Sequence, residues 1–145
     1  METPAKPRTL ERADFLWMVA RIEELHPRDP RNLELDARLW CLAKGYDFIR
    51  FFPNEGFRFG YQGREFVEHG AQVPDYRTDL EAAIKLVDAL LPDNTGVKLE
   101  FVSGGWEGSK SSAQVNNTVR WREAPPAQVL VQATLMAEMR RRWGY

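Results

Sequence analysis

Seven residues of this 145-residue chain, Arg50, Arg58, Tyr76, Trp106, Lys110, Arg120 and Trp121, are candidates to hold a planar anion. Aromatic rings supply stacking faces, and guanidinium groups supply rigid donor forks that match phosphate or carboxylate. The same types also build cross-strand pairs and protein interfaces, in which aromatic residues and arginine are enriched. A pocket for a nucleotide-like small molecule and a protein-docking surface therefore compete for one set of residues. The core or interface role is weighed above the pocket.

A second candidate is Gly104-Gly105-Trp106-Glu107-Gly108-Ser109-Lys110-Ser111, which has the look of a phosphate loop. Ser109 intervenes between Gly108 and Lys110, and no helical pattern follows to put a helix N-terminus behind the anion. The string reads as a hairpin tip whose N–H groups and Lys110 could hold an anion weakly. His26 and His69 are the two histidines and Cys41 the one cysteine, so neither a disulfide nor metal-ligand spacing is available. No Gly-x-Ser-x-Gly string marks a nucleophile elbow. Asp75 and Asp79 could meet as paired carboxylates, but a loop and a helix start are their more ordinary uses. The expectation is a protein without catalytic residues, metal or cofactor. An enzyme acting on a nucleotide, with His69 or Asp75 as base, is the outlying alternative.

Composition narrows the partners. A net charge of −1 lacks the basic excess from which nucleic-acid affinity is built. The triplet Arg140-Arg141-Arg142 falls at the end of a predicted helix, where cations complement the macrodipole. Residues 1–8 contain Pro4 and Pro7 and no apolar run, and are read as a flexible leader, with one domain over 9–145. No membrane span is predicted, and the lone cysteine fits a reducing, cytoplasmic compartment.

The elements that must position these residues follow from periodicity. A helix is predicted from about Thr9 to Leu25, with Leu10, Ala13, Leu16, Trp17, Ala20 and Ile22 as its apolar face. Prolines in 26–31 break it. Asn32 then caps a shorter helix whose Leu35, Leu39, Leu42 and Ala43 share a face, with Gly45 at the left-handed C-cap position. The period changes to two over Tyr46–Phe52 and Phe57–Tyr61, with Pro53-Asn54-Glu55-Gly56 as the turn, and Arg64–Val67 adds a short strand.

Thr78-Asp79-Leu80-Glu81 reads as a capping box opening a third helix through Leu80, Ala83, Ile84, Val87 and Leu91, with Glu81 and Lys85 as an i, i+4 pair. Val97, Leu99 and Phe101 alternate as a half-buried strand. A Gly/Ser-rich stretch runs from Ser103 to Ser112. Ala113–Val115 and Thr118–Arg122 are further strand around an Asn116-Asn117 turn. Pro125-Pro126 opens the last helix, which buries Val129, Leu130, Ala133, Met136 and Ala137. The fold expected is α+β: a layered α/β/α sandwich in the order αα-ββ-α-ββ-α, with one antiparallel sheet of four to five strands.

Three strings carry a family resemblance as an ordered set. They are Leu35-Asp36-Ala37-Arg38-Leu39 closing at Gly45, Val73 to Ala83 with its Pro74-Asp75-Tyr76-Arg77-Thr78 start, and Ala124-Pro125-Pro126-Ala127-Gln128-Val129-Leu130. Together they resemble the phage ABA sandwich domain family over about three quarters of the chain. The long Tyr46–Val67 hairpin and the extended first helix depart from that pattern. The resemblance implies a layered fold and a phage or prophage origin, hence the cytoplasm of a host bacterium; it implies no activity, cofactor or catalytic residue. The function expected is that of an accessory protein that binds a host protein or a second copy of itself. The alternative is a sponge that sequesters a nucleotide-derived immune signal.

Overall fold

The computed structural model describes residues 12–26, 29–92, 95–102, 110–116, 118–122 and 124–144, with backbone alone at 101, 102, 110 and 120–122. The element order is α1 (Arg12–Glu24), α2 (Leu33–Lys44), β1 (Asp47–Phe52), β2 (Gly56–Tyr61), β3 (Arg64–Glu68), α3 (Leu80–Leu90), β4 (Val97–Val102), β5 (Lys110–Val115), β6 (Thr118–Arg122) and α4 (Pro126–Trp143). The α+β class holds. The single sheet of four to five strands does not: among the described residues six strands form two separate three-stranded antiparallel sheets, β1-β2-β3 and β4-β5-β6. The short strand expected at Arg64–Val67 forms as β3, and the strands expected around Val97–Phe101, Ala113–Val115 and Thr118–Arg122 form β4, β5 and β6. After β2 the two-residue turn Gln62-Gly63 has positive φ at both positions, the geometry that returns the chain beside the strand it has left. β5 begins at Lys110, because Ser111 and Ser112 pair with Phe101 and Glu100.

α4 is the centre of the molecule. From Ala127 to Met139 every residue except Met136 is buried, so no polar face exists, and α1, α3 and the β4–β6 sheet pack around it. The polar groups this traps are bonded apart from Gln128 Oε1, which has no partner among the described residues. Gln128 donates to the carbonyls of Ile22 and Leu25, closing the C-terminus of α1, and the Thr134 hydroxyl donates to Leu130 O. Glu138, with no exposed surface, accepts from Arg141 and Arg142. The predicted role of the arginine triplet thus gains a specific anion one turn back. α2 forms the second packing centre, lying against β1 and β2 and against α1 and α3.

Local signals fare unevenly. Asn32 caps α2 by accepting from Leu35 N, and Gly45 ends it at φ 74°. Helix α3 is capped by Asp79, whose carboxylate accepts from Ala82 N, not by Thr78, which lies in the preceding turn. With Asp79 as N-cap the N3 position falls on Ala82, which has no side-chain acceptor, so a single N-cap bond replaces the expected capping box. Glu81 and Lys85 do pair, at 3.4 Å. Leu80 and Ile84 face solvent, since α3 turns Ala82, Ala83, Leu86 and Val87 to its neighbours. In α1 the buried residues are Asp14, Phe15, Met18 and Ile22, while Ala13, Leu16 and Ala20 of the predicted face are exposed. That helix carries two apolar stripes, and Asp14 hides the one that packs. Thr9, Leu10, residues 1–8 and residues 103–109 lie outside the described residues.

Candidate functional site

The β1–β3 sheet is built on an aromatic inner face. Phe59 stands opposite Phe48 and Phe66, and Phe57 opposite Phe51. Trp40 of α2 meets Phe57 and Phe59 edge-on at 5.8 and 5.3 Å, and Tyr46 at 5.3 Å, the geometry favoured by ring quadrupoles. This cluster fixes the sheet to α2. It reaches β3 only through Phe66, which stacks on Phe59; among the described residues no helix packs on β3, and Arg64 to Val67 are all exposed. Gly56 sets the turn and the spacing together: its φ is 112°, and a Cβ there would lie 2.2 Å from the carbonyl oxygen of Glu68.

Alternation sends the intervening residues to the other face. Arg58 stands opposite Arg50 on one side and Val67 on the other. Like charges placed across a ladder repel. Here both guanidiniums lie over the Phe52 ring, at 5.1 and 5.7 Å, and Glu65 approaches Arg58 at 3.7 Å. The strand register slips between Phe48 and Arg50 and swings Ile49 over Gly60, onto this same face. Ile49 is 41% exposed and Val67 56% exposed, so two apolar side chains flank the cationic pair.

Arg50 and Arg58 are thus the two predicted site residues brought together. Tyr76 is elsewhere. It is buried between α2 and α3, where burial and the carboxylates of Asp36 and Asp79 push its phenol well above the usual range. The ring leaves no face for stacking, although it forms part of the floor of an open groove of about 370 Å³. That groove mixes Lys44 and Lys85 with Asp79 and Glu81. Lys110, Arg120 and Trp121 fall on β5 and β6, in the other sheet, opposite Val102, Ala113 and Ser112. Trp106 lies outside the described residues. Of the six candidates that are described, Arg50 and Arg58 alone share one place on the fold.

The chemistry reserved for an enzyme is distributed in the same way. His69 Nδ1 lies 2.9 Å from Glu55 O at the hairpin turn, and His26 lies at the end of α1. Asp75 accepts from the Arg77 N–H, and its own carbonyl accepts from Thr78 and Asp79, which makes it a turn residue.

Sequence reasoning missed Asp36. It is 3% exposed and accepts from Arg31 Nε at 2.7 Å and Tyr76 N at 3.1 Å, while Arg31 also donates to the carbonyls of Val73 and Pro74. Burial raises its pKa from 3.8 to about 6, against the opposing pull of Arg31 and the Tyr76 N–H. These bonds tie the 73–76 loop to the start of α2. The Leu-Asp pair at 35–36 was visible in the sequence; the partner Arg31 was not.

Among the described residues no helix is long and apolar enough to cross a membrane, and no three His, Cys, Asp or Glu side chains gather as metal ligands. Compared with models of protein families, with characterised proteins and with solved structures, the chain matches none.

Proposed function

We propose that this chain is an accessory protein of phage or prophage origin that works by binding, and that it docks an acidic, partly apolar segment of a host protein on the outer face of the β1–β3 sheet. The observation that carries the docking is the cross-strand Arg50–Arg58 pair on Phe52, flanked by exposed Ile49 and Val67. A carboxylate between two guanidiniums relieves their mutual repulsion and gains charge-assisted hydrogen bonds, while the flanking side chains bury apolar area. The phage origin is supported by the ordered strings, which correspond to α2 ending at Gly45, α3 opening at Asp79 and α4 opening at Pro126. Host cytoplasm is the location this reading entails.

The test is capture from bacterial lysate with the wild-type chain and with an Arg50→Glu/Arg58→Glu variant, followed by titration of the purified partner. The reading expects the partner's dissociation constant to rise tenfold or more in the variant, on the order of 1.4 kcal/mol. Equal affinity for both forms would sink it.

A second reading uses the same two guanidiniums on a nucleotide phosphate, as a sponge would. Thermal-shift screening with cyclic nucleotides and ADP-ribose derivatives separates the two, since a ligand at 100 times its dissociation constant stabilises by about 2.7 kcal/mol. No shift with any compound removes the sponge.

A further inference from the structure

We propose that β3 is a self-complementary edge that pairs antiparallel with β3 of a second copy of this chain, Phe66 opposite the partner's Phe66. The proposal rests on the reading of the β1–β3 sheet as the presented surface, but concerns its edge and not its outer face. β3 ends the strand order β1-β2-β3, so one of its two backbone edges has no ladder partner among the described residues. Edge strands invite such pairing, and proteins that must avoid it cover, shorten or charge them. Among the described residues no helix covers this edge. Its inner-face residue Phe66 is 42% exposed even though it stacks on Phe59 at 5.4 Å, and Val67 is more exposed still.

The charges on β3 decide the occupant. The strand reads Arg64-Glu65-Phe66-Val67-Glu68. With Phe66 on the two-fold axis, Arg64 stands opposite the partner's Glu68, and Glu68 opposite the partner's Arg64. Glu65 then faces the partner's Val67. Every charged contact that this register makes directly across the strands is between opposite signs, and the axis carries a Phe–Phe pair. Sliding by two residues one way sets Glu65 against the partner's Glu65; sliding the other way sets it against the partner's His69 and leaves Glu68 on a phenylalanine. Parallel pairing sets Arg64 on the partner's Arg64 and each glutamate on its copy. The strand is charged against those alternatives and matched to one.

The matched register also keeps the pleat in phase. Arg64, Phe66 and Glu68 share the inner face with Phe59, and Glu65 and Val67 share the outer face with Arg58. A two-fold axis normal to the sheet then makes one continuous six-stranded sheet and sets two Arg50–Arg58 platforms side by side on a single surface. One Glu68 oxygen is engaged by Gly70 N at 3.0 Å, which orients the carboxylate without neutralising it.

Sedimentation velocity over a concentration series tests this, the chain mass being 16.8 kDa. The wild type is expected to pass from that mass to twice it as concentration rises. Arg64→Glu alone and Glu68→Arg alone each place like charges opposite each other and should both stay monomeric. An equimolar mixture of the two variants restores opposite charges at both ends and should recover the doubled mass. Circular dichroism of each variant confirms that it is folded, and Glu68→Gln serves where Glu68→Arg disturbs the Gly70 contact, with weakened self-association expected.

A wild type that remains monomeric throughout, or a dimer indifferent to both reversals and to their mixing, overturns the proposal. Arg58→Glu keeps the two ideas apart. It should abolish partner capture while leaving the dimer intact, so a monomeric wild type that still captures its partner removes the edge pairing alone.

Discussion

The β1–β3 and β4–β6 sheets have the same meander order and nearly equal strand lengths, yet they are finished with different residues. The central strand of the second sheet carries Ser111, Ser112, Ala113 and Val115, all buried, and the helix above it contributes Ala127, Ala133 and Ala137. Small side chains on both sides let α4 lie close, and the Ser111 hydroxyl is satisfied by Ala124 O at 2.7 Å. The central strand of the first sheet carries Phe57 and Phe59 against Trp40, and large rings hold α2 over β1 and β2 while leaving β3 beyond its reach. The difference teaches that side-chain size, more than topology, decides how much of a meander its covering helix shields. One sheet lines the core through α4; the other offers its outer face and one edge.

The contrast breaks first if inner-face residues of the first sheet matter no more than its rim. Phe57→Ala should cost about 3–5 kcal/mol of unfolding free energy by chemical denaturation, and Leu130→Ala in α4 about 2–5 kcal/mol. Gly56→Ala belongs in the same range of severity, because the added methyl meets a backbone carbonyl and the φ of 112° excludes an alanine without strain. A stable Gly56→Ala protein would mean that the turn and β3 do not approach as described.

Next in size is the buried clasp at Asp36. The folded pKa of about 6 lies above the ordinary 3.8, so the folded chain holds this proton more tightly than the unfolded chain. Its contribution is fully present below 3.8 and is lost as pH rises through about 6, which makes it a cost at neutral pH. Denaturation midpoints of the wild type and Asp36→Asn, compared across that window, should therefore converge or cross as pH rises. A difference that does not vary with pH would remove the shift. Arg31→Ala should cost about 1–3 kcal/mol by stranding Asp36 and two carbonyls, and should steepen the same dependence.

The smallest stability effects belong to the exposed sheet. Val67→Ala and Arg58→Ala should change unfolding free energy by about 0.5 kcal/mol or less. Their signature is lost association and not lost folding. A large destabilisation from either would mean that the outer face is held by the fold itself.

How much of this was legible in the sequence depends on how local each cause is. Asn32, Gly45, the 53–56 turn and the Pro125-Pro126 helix start act within four residues, and each formed where its pattern put it. Arg50 and Arg58 could be named as candidates from type, but their meeting over Phe52 depends on the register slip at Ile49. The face of α1 was misread because Asp14, a charged residue, lies on the buried side within reach of Arg38 at 3.7 Å. Arg38 is in turn stacked on both Trp17 and Phe48, at 4.4 Å from each. Nothing in periodicity signals a partner twenty-four positions away. The division into two sheets was hidden for the same reason, since alternation marks strands but not which strands pair.

Hydrogen exchange resolved to single amides, followed at increasing protein concentration, addresses the central claim most directly. Amides of 64–68 should gain protection as concentration rises, while those of 111–115, already sealed under α4, should not change. Concentration-independent exchange in β3, or protection that appears first in the β4–β6 sheet, would contradict the account.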